Sequence, residues 1–425
     1  MRPACRYCPH QLYFLASRSR NRNSTARMKL LTLLLLLAAG ATSAQQSPAP
    51  PARNAHQPPT LAPRSNHPMA DSIQGLLDRA VARGLPGVQV LLRNGQGTVH
   101  IHSGFAHAGS QLPYAAGTPS WLFSITKTYT AVLALQLWER GLLRLDAPIG
   151  AYLPAHYLQA VPGHDSITVA LLLQHRSGLP NFTALPAFIE RQFSTPLQQP
   201  SVTERLDLLS GIALRFRPGA DFEYSNSNYL LLQVLLEQVS GQDYGTLLRD
   251  RILRPAGLTH TWYAPPEDTA NVLGFPSAYF DRRGTGVLED GTRWNAALGK
   301  GSGGYGGIAA TPDDVLRFME ALRPGGGLLS EAALGLMQQW HGGTRSTQPD
   351  YGMGLEYFQY DRAGGPPQWG HEGDGIGCST LAFYVPANGT YLYLNCNAGR
   401  RLPGPLLFAI TDLKNELCRY VASYR

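Results

Sequence analysis

Residues 123–141 read FSITKTYTAVLALQLWERG. Within them Ala131, Val132, Leu133, Leu135, Leu137 and Trp138 cover much of a helical circumference. A helix that is apolar nearly all round belongs inside a core. The stretch also opens with a serine and, three residues later, a lysine. Lysine is rare here: the chain has only Lys29, Lys127, Lys300 and Lys414, and arginine supplies nearly all its other positive charge. A guanidinium stays protonated in proteins, whereas an ammonium can be tuned to release its proton. Ser124 and Lys127 share a face at the start of the helix. Lys127 can take the proton of a Ser124 nucleophile if burial or a nearby cation weakens its hold on its own. The helix N-terminus adds N–H groups and partial positive charge where an oxyanion would develop. Alone, S-x-x-K is a weak signal, and a capping serine beside a solvated lysine is the bland reading.

Outward from this helix the pattern is regular. MADSIQGLLDRAVARG, from Met69, has apolar residues at helical spacing and stops at Gly84. GVQVLLRN and GTVHIHSGFA read as a hairpin around Gly95. From Asp146 to about Gly301 the chain is mostly helical and loop-rich, with ITVALLLQHRSGLPNF and YLLLQVLLEQVSG its clearest helices. TPDDVLRFMEAL adds a helix with Thr311 at the N-cap and Pro312 in the first turn. STLAFYVP and TYLYLNCN flank the turn ANG as a second hairpin, and LPGPLLFAITDLKNELCRYV closes the chain as a helix. The expected fold class is α/β (α+β): an antiparallel sheet flanked by N- and C-terminal helices, with a helical subdomain at about 146–301 inserted between its strands.

Two further stretches carry chemistry. In GADFEYSNSNYLLL, Tyr224 and Asn226 lie in a polar turn before a long apolar helix. A tyrosine hydroxyl relays protons and an asparagine amide orients a carbonyl or amide; packing and capping are the bland reading. In WGHEGDGIGCSTLAFYV, His371 stands where a strand begins, and Gly373 has no side chain to keep a substrate off the backbone. The Asp374 N–H could then join that of Ser124 as an oxyanion hole; a surface histidine beside a glycine turn is the alternative. Other hydrolase chemistries fit less well. The elbow G-x-S-x-G does not occur. His100 and His102 alternate with apolar residues on a strand, and HEGDG lacks a second histidine for zinc. His175, imagined with Asp165 as a triad, sits at a helix end where a capping role explains it.

S-x-x-K, then Y-x-N, then H-x-G, in this order from about Met69 to the C-terminus, resembles the serine β-lactamase-related family. Its members include class C β-lactamases, D-Ala-D-Ala carboxypeptidases, D-aminopeptidases and the family VIII esterases. LLLQHRSGLPNF, RPGADFEYSNSNYLLL and GGYGGIAATPDDVLRF also look like segments of that family. The resemblance implies a β-lactamase/DD-peptidase-like fold and a serine hydrolase acting through an acyl-enzyme. Ser124 would be the nucleophile, Lys127 its base and Tyr224 the proton shuttle. Asn226, His371 and Gly373 would bind substrate, and the N–H groups of Ser124 and Asp374 would form the oxyanion hole. The substrate would be an ester, amide or peptide, D-amino-acid peptides among them. A penicillin-binding sensor that acylates with little turnover, and a true β-lactamase, are the alternatives. Two departures stand out. His371 replaces a lysine and carries only part of a charge near neutrality. Glu372 stands where a hydroxyl residue is usual, and a carboxylate there would repel a substrate carboxylate unless it points away. If it faces the substrate, Glu372 would instead suit an amine.

Charge and cysteine content narrow the context. The net charge is +7, and residues 1–44 hold seven basic residues and no acid, so the balance from Gln45 onward is zero. No nucleic-acid surface is implied. MKLLTLLLLLAAGATSAQQ reads as a signal peptide over 28–44, preceded by a mis-called start or targeting extension at 1–27. A Pro-rich linker, 45–68, leads to the catalytic domain, 69–425. A secreted or periplasmic protein without a lasting membrane span follows. Its partner would be a small-molecule or peptide substrate, cell-wall fragments included. Cys378, Cys396 and Cys418 remain after cleavage and allow at most one disulfide, with a thiol left over; Cys378 and Cys396 flank what look like neighbouring strands and read as small buried residues. The chemistry needs no metal and no organic cofactor.

Overall fold

The computed structural model describes residues 66–265, 274–343, 349–359, 365–400, 402 and 404–425. The signal peptide, the segment before it and most of the Pro-rich linker lie outside the described residues. The strands, in chain order, are β1 (Gly87–Asn94), β2 (Gly97–Gly104), β3 (Ser120–Trp121), β4 (Thr261–Tyr263), β5 (Tyr279–Phe280), β6 (Glu289–Asp290), β7 (Ile308–Ala310), β8 (Asp350–Tyr351), β9 (Glu356–Phe358), β10 (Gln368–Asp374), β11 (Ser379–Val385) and β12 (Thr390–Cys396). The longer helices are α1 (Ala70–Ala82), α2 (Thr126–Glu139), α3 (Pro186–Ser194), α4 (Asn226–Ser240), α5 (Thr292–Gly301), α6 (Pro312–Ala321) and α7 (Pro405–Ser423).

Seven strands form one antiparallel sheet in the order β2-β1-β12-β11-β10-β9-β8. The N-terminal hairpin therefore joins the C-terminal strands directly, Val90 opposite Leu394. Period-2 alternation splits the sheet between two cores. Val88, Val90, Leu92, Leu381, Phe383, Leu392 and Leu394 face α1 and α7, which supply Ile73, Leu77, Ile410, Leu413 and Leu417. Leu91, Ala382, Tyr391 and Tyr393 face the larger core built from α2, α4 and the helical region. Every residue of α2 from Thr126 to Leu135 is buried, including the apolar run that begins at Ala131 and the polar Thr126, Lys127, Thr128 and Thr130.

The helical region departs from the expectation in one respect. It contains β4 and the short β5–β6 ribbon, and β4 pairs with β7 in a second sheet, β3-β7-β4. These strands have two or three residues each, too short for alternation to register in sequence. Thr311 does cap α6 by position, but its side chain makes no capping hydrogen bond. Cys378, Cys396 and Cys418 are buried and not joined in disulfides.

Candidate active site

Ser124 lies in a single 3-10 turn, Phe123–Ile125, that runs into α2. The helix thus starts two residues after the serine, and Lys127 is in its first turn. The preceding residue, Phe123, has φ +46°, a left-handed conformation that costs a non-glycine residue about 1–3 kcal/mol. Such strain persists only where packing over-determines it, and Phe123 is held among Trp121, Phe275 and Ile376.

Lys127 is fully buried. Its Nζ lies 2.9 Å from Ser124 Oγ and 2.9 Å from the Tyr305 carbonyl. Three tyrosine rings surround it, with centroids at 4.9 Å (Tyr224), 5.6 Å (Tyr305) and 5.7 Å (Tyr229). The Tyr305 carbonyl is presented by a turn, Gly303–Tyr305, fixed on both sides. Gly304 N–H donates to Gln233 Oε1 at 2.8 Å, and Thr130 Oγ1 donates to the Gly304 carbonyl at 2.6 Å.

Tyr224 joins the pair through a side-chain hydrogen bond with Ser124. Burial, then the nearby charge of Glu356, push its phenol well above the ordinary tyrosine range, and the Ser124 bond only partly opposes them. Tyr224 therefore stays a phenol near neutrality. A phenol in that state can donate a proton to a leaving group.

Tyr224 is positioned by a residue that the sequence reading had set aside. His175, fully buried with φ +55°, packs tilted against the rings of Tyr224, Tyr229 and Tyr351 at 4.2, 5.1 and 4.7 Å. Its Nδ1 receives the Ser225 N–H (3.2 Å) and Asn228 Nδ2 (2.9 Å), and its carbonyl receives the Glu223 N–H (3.1 Å). Asn228 Oδ1 is taken by Ser177 Oγ, so Nδ2 is the group facing His175 and Nδ1 must accept. Asp165 is exposed and pairs with His164, outside this network.

Asn226 opens α4, with its backbone N–H on Asn181 Oδ1 and its Nδ2 on Thr183 Oγ1. The Thr183 hydroxyl proton goes to Asn181 Oδ1, so Thr183 can only accept from Asn226. That fixes the amide's orientation and leaves Asn226 Oδ1 as a buried acceptor with no hydrogen-bond partner among the described residues. Such an acceptor costs about 1–3 kcal/mol unless it is filled.

His371 is neither at the start of its strand nor on the surface. It is the fourth residue of β10 and fully buried. Its Nδ1 meets the Glu372 carbonyl at 2.6 Å, a group that only accepts, so Nδ1 carries the proton. Its Nε2 lies 2.9 Å from the Tyr351 hydroxyl, and Glu356 Oε1 is 3.9 Å from Nδ1. Its ring centroid is 6.2 Å from that of Tyr224. Gly373 follows on the same face. A Cβ there would stand 2.0 Å from the Leu122 carbonyl, so glycine alone lets β10 pass this close to the serine turn.

Glu372 and Asp374 alternate to the opposite face, which corrects the concern about a repulsive carboxylate. Arg400 bonds Glu372 and also holds Asp374 through Nε (2.9 Å) and Nη2 (3.0 Å). Lys414 of α7 stands 3.7 Å from Glu372 and 3.9 Å from Asp374. Burial alone would raise the Asp374 carboxyl. The charges of Arg400 and Lys414, with hydrogen bonds from Arg400 and Ser379, outweigh it and hold the group well below the usual carboxylate range. Glu372 is thus part of a neutralised cluster behind the strand and is not an amine receptor. Tyr351, Glu356 and Arg400 carry no motif of their own, while His175 and Tyr305 lie in segments noted for their family likeness but given no role in this network.

Comparison with known proteins came to the same region of chain. The family profile described as Beta-lactamase matches residues 70–406. Penicillin-binding protein 4 of Amycolatopsis lactamdurans is 27% identical over 340 residues, which is 77% of this chain and 84% of that protein. The D-alanyl-D-alanine-carboxypeptidase/endopeptidase AmpH of Escherichia coli is 27% identical over 237 residues, 56% of this chain but only 57% of that protein. Among solved structures, the D-amino acid amidase of Ochrobactrum anthropi SV3 complexed with L-phenylalanine amide superposes with a TM-score of 0.71 at 27% identity, covering 83% of this chain and 96% of that one. A D-stereospecific amidohydrolase from Streptomyces sp. gives 0.68 at 27%, covering 79% and 95%.

Proposed function

The chain belongs to the beta-lactamase family, and from that premise we propose that it is a serine hydrolase cleaving an amide, peptide or ester bond through an acyl-enzyme on Ser124. The observation that carries this reading is the buried Lys127 Nζ at 2.9 Å from Ser124 Oγ, beside a Tyr224 that stays protonated.

Ser124 Oγ attacks the substrate carbonyl carbon while its proton passes to the neutral amine of Lys127. The carbonyl oxygen becomes an oxyanion that accepts from the N–H groups of Ser124 and Asp374. The Tyr224 phenol protonates the leaving amine or alkoxide as the carbonyl–leaving-group bond breaks, and Lys127 returns a proton to it. Water then attacks the ester, giving its proton to the same pair, and the acid product leaves with Ser124 Oγ reprotonated. Asn226 Oδ1, buried and unfilled, suits a substrate N–H. His371 and Gly373 line the strand along which the acyl chain lies.

The relatives' names point to substrates with a D-configured residue, an amide or a short peptide. With Glu372 turned behind β10, its charge does not exclude a substrate carboxylate. Export to the periplasm or medium fits the apolar run Leu30–Ala39 and the relatives' names as a penicillin-binding protein and a D-alanyl-D-alanine carboxypeptidase. Among the described residues no helix is long and apolar enough to cross a membrane. The test is turnover of D-phenylalanine amide, D-alanyl-D-alanine and p-nitrophenyl acetate by the mature protein, with intact mass recorded after penicillin G. Turnover of any of the three supports the reading. A lasting penicillin adduct without turnover favours a sensor, and neither adduct nor turnover refutes catalysis of this kind.

A further inference from the structure

Arg205, on the short helix Val202–Asp207, is among the largest fully buried side chains. Buried guanidinium groups ordinarily pair with a carboxylate. Among the described residues no ion pair joins Arg205 to one. Its Nη1 donates to the Gly301 carbonyl at the end of α5, and its Nε has no hydrogen-bond partner among the described residues. Its Cζ lies 6.0 Å from the centroid of the Tyr305 ring. Lys127 Nζ lies 5.6 Å from that same centroid and donates to the Tyr305 carbonyl. Arg205 thus stands one aromatic ring away from the base.

We propose that Arg205 is a positioning residue for Lys127: it pins the end of α5, from which the Tyr305 turn continues, and its unpaired charge favours the neutral amine. The inference rests on Lys127 being the base of the reading above. Other titratable groups in range are Tyr224, Tyr229 and Tyr305 around Lys127, Glu356 beyond Tyr224, and Tyr263 beside Arg205 with Glu237 and Asp243 beyond it. Glu237 is already engaged by Gln233 Nε2 (3.1 Å) and the Tyr244 N–H (3.0 Å). Sharing one ring centroid puts the two cationic centres no more than about 12 Å apart, where an effective dielectric near 20 displaces a titration by about one pH unit.

The readout is the second-order rate at which a fluorophosphonate phosphonylates Ser124, followed from roughly pH 5 to pH 10 across the range a tuned lysine can occupy. This rate reports nucleophile activation and needs no known substrate. In Arg205→Met the acid limb should move up by about one pH unit, making labelling about tenfold slower below the limb and unchanged on the alkaline plateau. Arg205→Lys should keep the wild-type limb. A uniform loss at every pH, or an equal displacement in Arg205→Lys, would overturn the proposal. Should Arg205→Met not fold, Gln199→Glu offers a second route, because Gln199 and Arg205 both border Gly301. A carboxylate there should offset the guanidinium and raise the limb; an unmoved limb refutes the proposal. Lys127→Met separates the two claims. If it labels with the wild-type limb, Lys127 is not the base and both fail. If it abolishes labelling while Arg205→Met leaves the limb in place, only the role of Arg205 fails.

Discussion

Replacing Arg400 by methionine should destabilise the domain in a pH-dependent way. The guanidinium is 4% exposed and serves two carboxylates, Glu372 at 14% and Asp374 at 23%. Removing one side of a buried ion cluster costs about 3–5 kcal/mol, because the remaining charges stay buried without their partner. Lys414 remains 3.7–3.9 Å away and keeps the loss near the lower figure. An unfolding entropy of roughly 2.1 cal/mol/K per residue converts a loss of about 3 kcal/mol into a Tm drop of about 4 °C for a domain this size. The sign with pH follows from Asp374, whose carboxyl is held below its ordinary value in the fold. Its contribution is fully present above the unfolded-state value of about 3.9 and fades as pH falls through the folded one. The deficit of Arg400→Met should therefore be full at pH 7 and shrink in strong acid. Calorimetry of both proteins across that range is the assay. An equal Tm at pH 7, or a deficit that grows in acid, would refute the reasoning.

Ser124→Ala should abolish turnover while the Tm stays within a degree or two, and Lys127→Arg should lose roughly a hundred- to ten-thousand-fold in kcat/KM, since a permanent cation cannot accept the proton. Wild-type rates in the arginine variant would remove the deprotonated-lysine role. Gly373→Ala should cost roughly a hundredfold or more in kcat, because its Cβ meets the Leu122 carbonyl at 2.0 Å and drives the oxyanion strand from Ser124; an active variant would show the strand yields. Alkaline pH should unfold the protein steeply. Tyr114, Tyr129, Tyr224, Tyr229, Tyr244, Tyr351 and Tyr393 are all held above the ordinary phenol range by burial. Each ionises more readily unfolded, so each withdraws about 1.4 kcal/mol per pH unit above pH 10. Absorbance showing that these seven phenols, rather than the chain's other tyrosines, ionise before the fold is lost would contradict this.

The parts of the site legible in sequence are those set by local geometry or by short patterned runs. Three-residue spacing at a helix start already puts Ser124 and Lys127 together, and the apolar circumference of residues 131–138 already implies a core helix. Both hairpins were visible because alternation and turn residues coincide in them. Tyr224, Asn226 and His371 could be named from motif order but not located. His371 proved to be the fourth residue of its strand and buried, and its hydrogen-bond partner Tyr351 lies twenty residues earlier. The misgiving about Glu372 came from weighing its charge before its direction. Period-2 alternation already assigns it the face opposite Gly373, whereas Arg400 and Lys414, which neutralise it, belong to distant segments. His175, Tyr305 and Glu356 escaped because their roles exist only through contacts with residues far along the chain.

The most direct test of the account is peptide-level mass spectrometry of the protein quenched during turnover of a p-nitrophenyl ester. An acyl group on Ser124, absent from Ser124→Ala and lost on longer incubation with release of the acid, is the predicted result. Turnover that persists in Ser124→Ala, or an acyl group on any other residue, would contradict it.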